Sequence, residues 1–233
     1  RWLASRSQYV ERLNDDLITE LSGILKTVFS IENGKSEDEV NWQAVSAAHT
    51  LINPFSVITG GPGTGKTTTA ASLLFLLMHK RQGQLAHLGQ SKDGKLNVRL
   101  LAPTGKAAVK LADSIRHQLK QIEIRILGND LTELRMSDCL PETGETVHRF
   151  LYEMGGLRDS FQRPKRFKGD DVLLKRSKQS QQLGVKETVD VSKKPLDVVI
   201  VDESSMMDLA LMVELVSLIP ATTQLILLGD HYQ

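Results

Sequence analysis

Cysteine is almost missing from this 233-residue chain. The one thiol, Cys139, has no partner for an internal disulfide, which points to a reducing compartment such as the cytoplasm. With no catalytic motif around it, Cys139 reads as a half-buried bystander. Long apolar runs are missing too: the longest, Ala70 to Met78, falls well short of the roughly 20 residues a membrane-crossing helix needs. No signal-peptide pattern opens the chain, so a soluble, cytoplasmic protein with no membrane partner is expected. Charge of one sign is equally scarce. The 29 Lys and Arg against 28 Asp and Glu leave a formal charge of +1, so any affinity for a polyanion must come from local patches. The first residue is Arg1 rather than Met, and the last, Gln233, follows directly on a strand-like run. A fragment of a longer protein is the expectation.

What is present supports a core. The 40 % hydrophobic content is ordinary for a globular protein and large enough for one or two domains. From Arg1 to about Phe29, apolar residues recur at helical spacing (Leu13, Leu17, Leu21, Ile24, Leu25, Val28) among charged ones, the pattern of an amphipathic packing helix. The polar run from Glu32 to Glu39 reads as a linker. A boundary near residue 40 then divides a helical segment at 1–40, the end of a preceding domain, from a unit at 41–233.

That second unit alternates helix and strand, the order of a parallel sheet covered by helices. Strands are predicted at Phe55 to Thr59, Val98 to Ala102, Asp197 to Val201 and Gln224 to Leu228, each apolar along its length as strands buried on both faces are. Between about Gly155 and Pro195 the chain turns polar and basic, with Arg163, Lys165, Arg166 and Lys168 among the cations. This insertion is either a solvated loop or a contact for a nucleic-acid backbone.

The most specific signal is "VITGGPGTGKTTTAASLLFLL", which runs strand, glycine-rich turn, helix. Gly60 to Thr67 fits G, four residues, G-K-[ST]. Glycines in that pattern let successive backbone N–H groups converge on one anion at the positive end of a helix. Lys66 is placed to reach the β- and γ-phosphates of a nucleoside triphosphate, and the Thr67 hydroxyl to ligate Mg²⁺. An ordinary Gly-rich turn with a solvated lysine is the bland alternative.

The ends of the other strands carry the rest. "DVVIVDESSMMD" closes a hydrophobic strand with Asp202 and Glu203, an aspartate suited to the Mg²⁺ shell and a glutamate suited to orienting and deprotonating a water. Such a pair would be desolvated without a cation to meet. Gln233, beyond the last strand, could touch the γ-phosphate. Gln43, upstream of the loop, carries the paired donor and acceptor that read adenine, although a lone glutamine is by itself a weak signal. In "LAPTGKAAVKLA" the turn Thr104-Gly105-Lys106 opens a helix at about Lys106, where a polynucleotide phosphate would be held or where Thr104 simply caps. "TVHRFL" adds His148 and Arg149 near the same edge.

Taken together, "NWQ", "GGPGTGKTTT", "LAPTGKAA", "TVHRFL", "VVIVDESSMMD" and "LLGDHYQ" resemble, in order and spacing, the superfamily 1 DNA helicases of the 5′-to-3′ class, above all the alpha-subunit type of bacterial exodeoxyribonuclease V, the RecD helicases. The resemblance covers Asn41 to Gln233 and only loosely the first forty residues. It implies an α/β fold, a RecA-like P-loop NTPase domain with a parallel sheet preceded by a short helical segment, the first of two motor domains. It implies ATP and Mg²⁺ as cofactors, single-stranded DNA as partner, and other subunits of a helicase–nuclease complex for repair and recombination. By the same resemblance Gln43, Gly61, Pro62, Gly63, Thr64, Gly65, Lys66, Thr67 and Thr68 bind the nucleotide, Thr67 and Asp202 hold the metal, and Lys66, Glu203 and Gln233 serve hydrolysis and its coupling to DNA. Pro103, Thr104, Gly105, Lys106, Thr146 and His148 line the single strand. Two departures stand out. The second motor domain with its arginine finger is not in these 233 residues, so the fragment alone should be nearly inactive, and the basic insertion is long for the family.

Two other readings differ in kind. A P-loop small-molecule kinase would need an arginine-bearing lid and an acceptor pocket in place of Asp202-Glu203 and Gly229 to Gln233. A non-catalytic ATP-binding subunit would dock through residues 1 to 40. DNA-stimulated ATP hydrolysis separates the motor from both.

Overall fold

The computed structural model describes residues 15–33, 40–87, 96–127, 140–155 and 196–230. In chain order these form α1 (Asp15–Asn33), α2 (Trp42–Ile52), β1 (Phe55–Thr59), α3 (Lys66–His87), β2 (Val98–Ala102), α4 (Gly105–Leu127), β3 (Glu145–Thr146), α5 (Val147–Glu153), β4 (Val198–Val201), a 3₁₀ turn (Ser204–Met206), α6 (Leu209–Leu218) and β5 (Gln224–Gly229). All strand pairings are parallel, and the sheet order is β1-β5-β4-β2-β3. No helix among the described residues is long and apolar enough to cross a membrane.

The sheet separates two cores because strand side chains alternate between its faces. On one face Ile58, Val98, Leu100, Val198, Ile200, Ile226 and Leu228 pack with α1 to α4. On the other, Leu101, Val199, Val201, Leu225 and Leu227 pack with α5 and α6 through Phe150, Leu211 and Leu215. The middle of α3, Ala70 to Met78, is buried on every side, which explains its unbroken apolar run. Leu21, Val28 and Phe29 of α1 join the first core, and Asn41 Nδ2 donates to Phe29 O at 3.3 Å.

The four predicted strands form close to their expected bounds. β4 is bounded at Val198, although Asp197 before it still donates its N–H to Asn97 O at 3.1 Å and accepts from Gln224 N through its carbonyl at 2.8 Å, while its carboxylate accepts from Asn97 N at 2.8 Å. β5 continues to Gly229, and α4 begins at Gly105. The expectation that every strand is buried on both faces fails for β1: Val57 is 53 % exposed, because β1 ends the sheet while α6 lies over β4 and β5. Arg99 also breaks the apolar pattern of β2, pairing with Glu145 of the edge strand β3 at 2.9 Å. Glu32 and Asn33 belong to α1 rather than to a linker. Leu13, Cys139 and the basic insertion lie outside the described residues.

Candidate functional site

The chemistry gathers at the carboxyl edge of the sheet. Thr59 of β1 is in register with Gly229 of β5, and Val201 of β4 with Leu227 of β5. The loop after β1 and the turn after β4 therefore flank one strand end.

After β1 the backbone tightens. Gly60 N donates to Gly229 O at 3.3 Å, and Thr64 Oγ1 to Gly61 O at 2.9 Å. Gly63 and Gly65 have φ of 76° and 86°, a region costly for residues with a Cβ. Gly65 has a second constraint, since a Cβ there would lie 2.3 Å from Gln43 Nε2. Gln43 is indeed beside the loop, donating through Nε2 to Thr64 O at 2.9 Å. Its helix is held at both ends. Asn41 Oδ1 accepts from Gln43 N and Ala44 N as the N-cap, and Gln224 Nε2 donates to Thr50 O and to Asn53 O. Asn41 is a positioning residue that the sequence reading passed over, although an Asn opening a helix is a capping signal.

Lys66 is half-buried rather than solvated: its ammonium donates to Gly60 O and, at 3.0 Å, to Gly61 O. These carbonyls hold the cation over the loop, within reach of any anion the loop takes. Thr67 and Thr68 follow in the first turn of α3, where Thr69 N and Oγ1 donate to Gly65 O at 2.8 and 3.0 Å.

After β4, Asp202 N donates to Leu101 O at 2.9 Å, and Asp202 Oδ1 accepts from Glu203 N at 2.9 Å. Glu203 has φ 50° and ψ 37°, the one non-glycine with positive φ among the described residues. An α-left glutamate costs about 1–2 kcal/mol and persists where its surroundings dictate it. Ser204 supplies one such constraint, its Oγ donating to Leu228 O at 2.9 Å. Asp202 and Glu203 are both half-buried, so they are less desolvated than the sequence suggests. The donor set suits Mg²⁺. Among the described residues no three His, Cys, Asp or Glu converge, and Mg²⁺ asks for only one or two carboxylates, with waters and phosphates completing its shell. Thr67 and Asp202 are the residues that would hold it.

A second group lies across β4, at β2 and β3, where Ala102 pairs with Thr146. Pro103 follows β2. Thr104 Oγ1 accepts from Ala107 N at 3.3 Å, and Thr146 Oγ1 accepts from Arg149 N at 3.2 Å as the N-cap of α5. A hydroxyl that accepts in this way keeps its own proton to donate. Gly105 faces Thr146, with a Cβ there falling 4.0 Å from Thr146 Cγ2, and Lys106 and His148 are exposed alongside. Gly144 allows the approach, because a Cβ on it would come within 2.1 Å of Ala108 O. Beneath, Arg99 bridges Glu145 and, at 3.8 Å, Glu153. Burial pushes the Glu145 carboxyl above its ordinary value, against the pull of Arg99 and with some help from Glu153. Of the expected site residues, only Gln233 lies outside the described part of the chain.

Known proteins resemble this chain over most of its length. Residues 41–233 match the AAA domain family. The chain is 33 % identical over 199 residues to the RecBCD enzyme subunit RecD of Haemophilus influenzae, covering 85 % of this chain and 25 % of that protein. It is 33 % identical over 191 residues to the RecBCD enzyme subunit RecD of Mycolicibacterium smegmatis, covering 82 % and 27 %. It is 29 % identical over 201 residues to the ATP-dependent RecD2 DNA helicase of Deinococcus radiodurans, covering 86 % and 18 %. The chain thus spans about a quarter of the RecD subunits and less of the RecD2 helicase. Matched from its second helix onward, this chain belongs to the AAA domain family and is RecD-like within it.

Proposed function

We propose that residues 41–233 are the first RecA-like motor domain of an ATP-dependent, 5′-to-3′ DNA helicase, working in the cytoplasm within a RecBCD-type helicase–nuclease complex, and that residues 1–40 end a preceding domain. The start of the family match at residue 41 supports that division. One observation carries the functional reading. A phosphate loop and a carboxylate turn flank β5, and two hydroxyl-bearing turns suited to a polynucleotide stand on the same sheet edge, across β4.

In this reading Gln43 reads the adenine edge, with the loop from Gly61 to Thr68 around the phosphates. Binding of phosphate draws the Lys66 ammonium from the carbonyls of Gly60 and Gly61 onto the β- and γ-oxygens, a charge-assisted exchange. Thr67 and Asp202 would hold Mg²⁺, which would supply charge neutralisation at the phosphates. Glu203, on its strained α-left backbone directly after β4, orients a water and takes its proton. Gln233 links the γ-phosphate to the DNA track. Thr104, Lys106, Thr146 and His148 donate to backbone phosphates, contacts that fix register without reading sequence. Polarity tests the reading in the full-length chain. Duplexes with a 5′ single-stranded tail should be unwound with ATP, and those with a 3′ tail should not. Unwinding from the 3′ tail alone would overturn the assigned direction, and no unwinding of either would overturn the motor.

A further inference from the structure

Helix α4 carries a surface that starts at Lys106, at the border of the single-strand site, and continues over residues that neither site uses. Lys106, Lys110, Asp113, His117, Lys120 and Ile124 are all exposed. Their spacing of four, three, four, three and four puts them on one straight stripe of the helix. The stripe is basic although the whole chain carries only +1. Its single carboxylate, Asp113, is met by Arg116 at 3.4 Å, and Arg116 is itself anchored on Pro141 O and Glu142 O at 2.7 and 2.8 Å. No acidic partner meets Lys106, Lys110 or Lys120 among the described residues. At the end nearest Thr104 an open groove of about 550 Å³ runs between Lys106, Val109, Lys110 and Asp113.

The chemistry of the stripe selects its partner. Surfaces that grip single strands through their bases combine cations with aromatic rings on which the bases stack; this stripe, with cations and no Phe, Tyr or Trp, can address phosphates only. Cations alone suit a backbone whose bases are already stacked and paired, so that only phosphates face the protein. From Lys106 to Lys120 the helix rises about 21 Å at about 1.5 Å per residue, matching about six base pairs of duplex at about 3.4 Å each. We propose that the exposed face of α4 binds the phosphate backbone of duplex DNA adjoining the single-strand track, steadying the junction without reading its sequence. The inference rests on the DNA-motor reading above and extends it from the single strand to the duplex.

The test uses the full-length chain with Lys110→Gln and Lys120→Gln combined. Both replacements keep good helix formers, and neither residue belongs to the nucleotide or single-strand site. Affinity is measured across a salt series for a 5′-tailed duplex and for the tail alone. The expected result is a salt slope for the tailed duplex lower by about 0.9 per lost contact, up to about 1.8 in all, with the tail-alone slope unchanged. An unchanged slope on the tailed duplex overturns the proposal while the motor reading stands. So does an equal fall on both substrates, which would place α4 in the single-strand track. If the wild-type chain binds neither substrate, the motor reading fails and this inference with it.

Discussion

The side-chain amide of Gln43 donates to the carbonyl of Thr64 at 2.9 Å, and a Cβ at Gly65 would lie 2.3 Å from the same nitrogen. Helix α2 and the phosphate loop are therefore fitted to each other across 21 residues of sequence.

Gly65→Ala should weaken ATP binding by displacing Gln43, and should destabilise the fold by about 1–2 kcal/mol through its positive φ. Adding Gln43→Ala removes the clash but not the backbone strain. The double variant should therefore regain part of the lost stability while binding ATP poorly. Equilibrium dialysis and thermal melting read both quantities. Wild-type affinity in Gly65→Ala would show that the loop and Gln43 are independent.

Lys66→Ala should abolish hydrolysis at modest structural cost. The ammonium serves two loop carbonyls in the structure, and hydrogen bonds from a charged group contribute about 1.5–3 kcal/mol. The chain should still melt cooperatively, only a few degrees lower. A variant that cannot fold would give Lys66 a mainly structural role.

At Glu203 two replacements should part company. Glu203→Gln keeps the side-chain shape, so ATP should bind and turn over slowly. Glu203→Gly removes the α-left strain at φ 50°, so its melting temperature should hold or rise while hydrolysis is lost. Normal turnover in the Gln variant would remove Glu203 as the base. A large fall in stability for the Gly variant would contradict the strain.

For Glu145 the direction of its titration gives a pH test. Burial outweighs Arg99 and raises the carboxyl in the folded state. Its contribution to stability is thus present below the ordinary glutamate range and lost as pH rises through the raised value. Relative to Glu145→Gln, the wild type should lose stability as pH climbs from about 4 to neutrality. A wild-type advantage that grows over that range would mean the Arg99 ion pair dominates.

How much of this was legible in the sequence depends on range. β1, β2, β4 and β5 announce themselves as short apolar runs rich in Val, Leu and Ile. The phosphate loop is legible because its spacing is set by one anion. β3 is two residues long, too short for any periodicity, so its pairing with β2 went unseen. The exposure of Val57 depends on strand order, which local pattern does not encode. The close approach of Gly144 to Ala108 and the α-left backbone of Glu203 arise only when separate elements meet. That Lys66 rests on the carbonyls of Gly60 and Gly61 was equally hidden, because a loop lysine in sequence gives no sign that its own loop will hold it.

The most direct measurement is steady-state ATP hydrolysis by the full-length chain with and without single-stranded DNA, with Lys66→Ala as the control. The proposed placement of nucleotide and strand on one sheet edge predicts turnover that rises with added DNA in the wild type and vanishes in the variant. The same rate with and without DNA, or DNA-stimulated turnover that survives in Lys66→Ala, would contradict it.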